Sequence, residues 1–257
     1  YQSPAHEDAV KNEIEHLAPD LFAFTSSEIW PVVREYERTT TTILNGYVHP
    51  RVTGYLTGLE DTLSDLGMPA LPLLTKSNGG LMRAETGKRN CVSMLLSGTA
   101  AGVTGACWLA RQAGNDRVLT LDIGGTSADM ALIIDGQPQF GKDEKIGDYP
   151  LHIPSVSVSS IGIGGGSIAR VDAFGVLKVG PESAGSAPGP ACYGRGGMHA
   201  TLTDALAVCG YLGHAPMAYG QLTLEIERAN SVVEKIALAL GRDVPATAEA
   251  IIRVAVS

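Results

Sequence analysis

The chain has 257 residues, room for one large domain or two modest ones. Hydrophobic residues make up 44% and charged residues 18%, which argues against a disordered chain, and a formal charge of −8 argues against nucleic acid as a partner. No apolar run reaches the roughly 18 residues a membrane helix needs, and the polar, amphipathic start YQSPAHEDAVKNEIEHL is not a secretory signal.

Residues 6–17 are expected to be a helix ending near Pro19, and residues 21–27 a short strand. From Ile43 to Leu66 the apolar residues fall at helical spacing. Pro50 should kink that helix or begin a second one, and Gly67 is a natural stop. Leu71 to Thr75 reads as a buried strand running into the turn SNGG at 77–80. The segment 95–114 reads as a loop and then a helix, whose small residues (Gly98, Ala100, Ala101, Gly102, Gly105, Ala106) would admit another backbone. At Arg117 the pattern changes. Val118–Leu121 and 130–135 are apolar runs on either side of DIGGTSAD, a hairpin pattern. Residues 136–150 are a polar connection, and Val156–Ile161 is a further strand leading into GIGGGS. A second hairpin is expected over 169–180, turning around Asp172 to Gly175. Residues 181–197 form an irregular Gly/Pro/Ala/Ser loop, too long to be idle. Helices follow over Thr203–Leu212 and, strongly amphipathic, over Leu222–Leu240. Both ends read as cut: residue 1 is not Met, and AIIRVAVS stops within an apolar-periodic segment. The expectation is a piece of a longer polypeptide.

Glycine is abundant, 31 residues against an ordinary share of ~7%. The glycines cluster where the backbone must turn or approach something closely. In DIGGTSAD an aspartate closes an apolar strand, two glycines form a turn with outward amides, and a threonine and a second aspartate follow. Successive free amides make a concavity for an anion such as phosphate. Asp122 would orient Mg²⁺ through water, Gly124 and Gly125 would approach the phosphates, Thr126 and its neighbour Ser127 would donate to them, and Asp129 would extend the metal's water shell. The alternative is a plain hairpin with a D-x-G-G turn. Gly164, Gly165 and Gly166 read first as a structural turn, with contact to the phosphates as the alternative that makes them a second candidate site; neither a dinucleotide fingerprint nor a Walker lysine is present. SGTAAG at 97–102 offers either an anion-facing helix start or close helix packing. Asp204 reads as a charge at a helix start and His199 as a lone loop histidine. Cys91, Cys107, Cys192 and Cys209 form no CxxC pair, which favours reduced thiols in a cytosolic protein over disulfides or zinc.

Seven stretches taken in order resemble one family, the hydantoinase A/5-oxoprolinase family with its related ketone-carboxylase subunits. They are REYERTTTTILNGYV at 34–48, SNGGLM at 77–82, LLSGTAAGVTGA at 95–106, DIGGTSADMALI at 122–133, SIGIGGGSIARVD at 160–172, GPESAGSAPGPACYGRGG at 180–197 and TLTDALAVCGYL at 201–212. The resemblance implies an α/β chain with the fold of the actin, sugar-kinase and heat-shock-chaperone ATPases, two ribonuclease-H-like halves, here incomplete. It places the end of the first half and a helical connection in 1–115, and the start of the second half in 116–257. DIGGTSAD is then the second phosphate-binding hairpin; the first hairpin and the adenosine segment would lie outside this sequence. The family usually has proline where Thr99 stands and a hydroxyl residue where Ala128 stands, and a lost hydroxyl removes a hydrogen bond worth about 1 kcal/mol net.

The activity implied is ATP-dependent opening of a cyclic amide by a hydantoinase- or oxoprolinase-type A subunit. Phosphorylation makes the resistant ring carbonyl a good leaving site, and the protein's work is positioning and charge stabilisation. ATP and Mg²⁺ are the implied cofactors. A B-type subunit is the implied partner, in an oligomeric, cytoplasmic complex. The alternatives are the ATP-using subunit of an acetone-type carboxylase and a non-catalytic actin-like scaffold. Half an ATP cleft predicts that the isolated 257-residue piece is inactive.

Overall fold

The computed structural model describes residues 3–68, 71–141, 145–146, 149–213 and 215–257. The chain is mixed α/β and divides into two units, Tyr1–Thr120 with Ala131–Val158, and Leu121–Met130 with Ser159–Ser257.

The first unit opens with α1 (Ala5–Leu17), which carries Glu7 and Asp8 in its first turn, charges that suit the helix dipole. It buries no residue of its own. The Glu7 carboxylate instead accepts from Ser26 Oγ at 2.8 Å and from Ser27 N at 3.0 Å. The expected strand over 21–27 is absent. Thr25 and Glu28 form a reciprocal capping box that starts α2 (Ser26–Ile29), and Phe22 stacks on His49 with ring centroids 3.7 Å apart. The spelling T-x-x-E carried that signal. Next comes α3 (Glu35–Asp65), one 31-residue helix that runs on through Pro50. Gly67, at φ +70°, donates to Ser64 O and ends it.

β1 (Leu73–Thr75) and β2 (Leu81–Arg83) pair around the SNGG turn. α4 (Ala84–Arg89) and a 3₁₀ turn at Cys91–Met94 follow. The fully buried Asn45 holds this segment, donating to Arg89 O at 3.1 Å and accepting from Val92 N at 3.0 Å. α5 (Ser97–Gln112) buries Ala100, Val103 and Cys107 against Ala131, Ile133 and Val156. Burying Val103, Ile133 and Val156 is worth about 1.5–3 kcal/mol each. The glycines of this helix do not serve close packing: a Cβ built on Gly98, Gly102 or Gly105 meets nothing within 4 Å among the described residues.

The hairpin expected around DIGGTSAD is formed by β3 (Val118–Ile123) and β4 (Ala128–Ile134). The connection over 136–150 contains β5 (Gln137–Pro138), β6 (Phe140–Gly141), β7 (Lys145–Ile146) and β8 (Tyr149–Pro150), with 142–144 and 147–148 outside the described residues. β5 extends the base of β4, β7 pairs with β8, and β6 pairs with β9 (Ser155–Val156). The single strand expected over 156–161 is thus broken. Its first half pairs in the first unit, and its second half, β10 (Ser159–Ile161), pairs in the second with the tip of β4, in the register Ser160↔Asp129.

In the second unit β11 (Ser167–Val171) and β12 (Leu177–Ser183) make the expected hairpin. The Asp172 carboxylate accepts from Phe174 N and Val176 N and fixes its turn. α6 (Leu202–Val208), α7 (Ile226–Leu240) and α8 (Val244–Ala255) complete the unit. α7 starts later than its periodicity suggests, because Leu222 is held in a reciprocal pair of backbone hydrogen bonds with Met217. The core joins Ala169, Ala191, Ala200 and Ala205 to Val232, Val233, Ala248 and Ile251. Small residues on β11 and α6 let α7 and α8 come close. Among the described residues no helix is long and apolar enough to cross a membrane.

Candidate functional site

The tip of the β3–β4 hairpin, Leu121–Met130, lies in the second unit with the segments it touches. Asp122 to Thr126 are exposed. Gly124 N donates to Ser127 O at 2.8 Å, closing the turn on itself. The amides of Gly125 and Thr126 carry no hydrogen bond among the described residues. Nor does the Asp122 carboxylate. Asp129 is half-buried and accepts a short hydrogen bond from Ser160 Oγ on β10. The tip therefore presents free amide donors and one unpaired carboxylate to solvent.

Its other side is occupied. Gly165 N donates to Gly124 O at 3.0 Å and Gly166 N to Gly125 O at 2.6 Å. Gly164 N donates to Ser167 Oγ at 2.9 Å. All three amides of the glycine run are thus engaged within the protein, and those of Gly165 and Gly166 hold the turn by its carbonyls. The absence of side chains is a requirement here. A Cβ on Gly164 would lie 2.7 Å from Gly124 O and 2.8 Å from the carbonyl carbons of Gly125 and Thr126; one on Gly166 would lie 2.8 Å from Gly125 O. The sequence left Gly164, Gly165 and Gly166 between a structural turn and a ligand contact; the structure packs them against the backbone of the 124–126 turn.

One further residue touches the turn and another holds the glycine run behind it. Ser183, at the end of β12, receives a 3.5 Å hydrogen bond from Thr126 Oγ1, donates to Gly125 O at 3.3 Å, and accepts from Gly185 N at 3.1 Å. Thr203, in the first turn of α6, donates through both N and Oγ1 to Gly165 O, each at 2.8 Å. Neither was legible in the sequence, because their partners are 58 and 38 residues away.

Asp204 does more than the helix-start charge read from the sequence. It does stand at the start of a helix, and with Thr201 it forms a capping box. It is also fully buried. Its Oδ2 accepts from Ala191 N at 3.2 Å, Thr201 N at 3.0 Å and Thr201 Oγ1 at 2.8 Å, and its Oδ1 from Cys192 N at 2.8 Å. A buried carboxylate is tolerable only when so satisfied. It ties the Pro190–Cys192 stretch of the long glycine-rich loop to α6. Burial, with the nearby Asp204 carboxylate, pushes the Cys192 thiol far above its ordinary range. Cys91, Cys107 and Cys209 are also raised, each chiefly by burial, and all four cysteines are free thiols. Such thiols are poor nucleophiles at neutral pH. His199 is exposed, and among the described residues no cluster of three or more His, Cys, Asp or Glu could hold a metal ion.

Comparison with known proteins places the chain in a family. The family described as Hydantoinase/oxoprolinase matches residues 38–257. The chain is 37% identical over 252 residues to the caprolactamase subunit alpha of Pseudomonas jessenii, covering 98% of this chain and 36% of that protein. Among solved structures, a nucleotide-free acetone carboxylase, titled for ATP-dependent acetone carboxylation, superposes with a TM-score of 0.83 at 30% identity, over 99% of this chain and 36% of that one. The ATP-dependent caprolactamase of Pseudomonas jessenii superposes with a TM-score of 0.75 at 36% identity, over 98% of this chain and 37% of its own. The chain thus spans little more than a third of the relatives it matches. With the matched region running from the α3 helix through the hairpin to the last residue, the chain belongs to the hydantoinase/oxoprolinase family.

Proposed function

We propose that this chain carries a phosphate-binding hairpin of an ATP-dependent cyclic amidase of the hydantoinase/oxoprolinase type. One observation carries the reading. The Ile123–Ser127 turn is fixed from behind through the carbonyls of Gly124 and Gly125, while the amides of Gly125 and Thr126 and the Asp122 carboxylate remain free and exposed. Donors held in place before the ligand arrives need no reorganisation when charge develops. In this reading Gly124, Gly125, Thr126 and Ser127 meet the phosphates of ATP. Gly164, Gly165 and Gly166 support the turn.

Mg²⁺ fits Asp122. Mg²⁺ keeps most of its water shell and is commonly held by one or two carboxylates with substrate phosphates, and Asp122 is exposed and free of protein partners among the described residues. Asp129, held by Ser160, would accept from the same water shell. The ion would neutralise charge on the phosphates. The wider reading is that of the actin-like ATPases, with residues 1–115 ending one half and 116–257 beginning the next. A cyclic amide is the proposed substrate of the whole protein. Its carbonyl oxygen takes the γ-phosphoryl group as the bond to ADP breaks; water then adds at the activated carbon and the ring C–N bond opens to leave an amine and an acyl phosphate, which a second water hydrolyses to the carboxylate and free phosphate. A B-type subunit in an oligomeric, cytoplasmic assembly is the proposed setting, and the relative named as a caprolactamase subunit supports it.

The chain labelled with ¹⁵N tests the site. Titration with Mg²⁺–ATP should shift the amide signals of Gly125 and Thr126, and Asp122→Ala should remove the Mg²⁺-dependent part of the shift while changing stability by no more than ~0.5 kcal/mol, as for an exposed, unpartnered side chain. Unmoved signals at 125 and 126 would refute the proposal. A second reading, the ATP-using subunit of a ketone carboxylase, is favoured by the superposition on acetone carboxylase. ATP turnover by the assembled enzyme, with lactams against ketones plus bicarbonate, separates the two.

A further inference from the structure

The exposed turn does not stand on its own hydrogen bonds. Among the described residues, Gly124 N to Ser127 O is the one hydrogen bond that closes it from within. Its carbonyls rest on the glycine run, and Gly165 O, on the far side of that run, rests on α6. Thr203 gives Gly165 O two donors, N and Oγ1, each at 2.8 Å. The fit is close: a Cβ on Gly165 would lie 2.7 Å from Thr203 Oγ1. Beneath Thr203 the next residue, Asp204, is pinned by four hydrogen bonds, so the first turn of α6 has little freedom to shift. A continuous series of contacts therefore runs from a fixed buried carboxylate through Thr203, Gly165 and Gly124 to the free amides.

We infer that Thr203 is the positioning residue of the hairpin turn: it sets the height and angle of the 124–126 backbone through Gly165 without touching a ligand. The inference rests on the phosphate-binding reading above and adds to it the residue that determines affinity from behind. Its side-chain hydroxyl is the adjustable element, because the backbone donor of residue 203 remains whatever the side chain.

Thr203→Val keeps the shape and removes only the hydroxyl donor. Amide hydrogen exchange at Gly165 and Gly166, which reports the two bonds to Gly124 O and Gly125 O, should accelerate about 5- to 10-fold, the loss expected for one hydrogen bond of ordinary net strength. Affinity for Mg²⁺–tripolyphosphate, read from the Gly125 and Thr126 amide signals, should weaken by a similar factor. Thr203→Ser, which restores the hydroxyl, should recover both. Exchange unchanged in Thr203→Val overturns the inference and leaves the phosphate-binding reading standing. Faster exchange with unchanged affinity also overturns it, since the turn would then bind equally well unpositioned. A wild-type chain that shows no amide shift with Mg²⁺–tripolyphosphate refutes the phosphate-binding reading, and the inference falls with it. A global loss of fold is recognised by exchange that rises equally in α7 and α8.

Discussion

Replacing Asp204 by Asn removes one charge and one acceptor from a fully buried site. The amide oxygen best takes the place of Oδ2, which accepts from Ala191 N, Thr201 N and Thr201 Oγ1. The amide nitrogen then faces Cys192 N, a donor that lay 2.8 Å from Oδ1. A charge-assisted hydrogen bond, about 1.5–3 kcal/mol, is lost, and a buried N–H is left without a partner. We expect a net loss of about 3 kcal/mol, on the order of 100-fold in the equilibrium that opens this loop. Cys192 reports that equilibrium directly. It is buried beside the clamp, and its thiol reacts only when the loop lifts. Urea melting followed by far-ultraviolet circular dichroism should show a lower midpoint. Thiol labelling at Cys192 under native conditions should accelerate on the order of 100-fold, after normalising to labelling of the unfolded chain. A midpoint and a labelling rate within twofold of the wild type would refute the assignment of Asp204 as the clamp of this loop.

Gly164→Ala should destabilise the second unit by about 1–3 kcal/mol and displace the turn, because the atoms nearest to the new methyl are backbone of residues 124–126. Gly162→Ala, whose nearest neighbour would be Pro181 Cβ at 3.7 Å, serves as the tolerated control. Equal stabilities of the two variants would contradict the packing. Burial, aided by Asp204, raises the Cys192 thiol in the folded chain, so folded protein holds that proton more tightly than unfolded protein. Its contribution is complete below the ordinary thiol value of about 8.5 and is lost as pH climbs above it. The urea midpoint should therefore fall between pH 8.5 and 10, and Cys192→Ala should flatten the slope. A midpoint that rises over that range would contradict the sign.

The sequence alone determined the local vocabulary of this protein. The helix over residues 6–17, the SNGG turn, the DIGGTSAD hairpin and the turn at Asp172 follow from period and turn chemistry, which act between neighbours in the chain. The free face of the hairpin was legible for the same reason: D-x-G-G specifies its own bend. The stretch over 21–27 failed because a capping box outweighed a weak apolar run. The run over 156–161 was divided because its two ends found different partners. The tertiary structure decided what lies behind the turn. Gly164 to Gly166 left a structural turn and a ligand contact both open, because glycine signals close approach without naming what approaches; in the structure the hairpin's own backbone approaches. Ser183, Thr203 and Asp204 carry no motif that points to residues 124–126 or 191–192. Their roles arise from hydrogen bonds closed over a dozen to nearly sixty residues, and only folding brings such donors and acceptors within 3.5 Å.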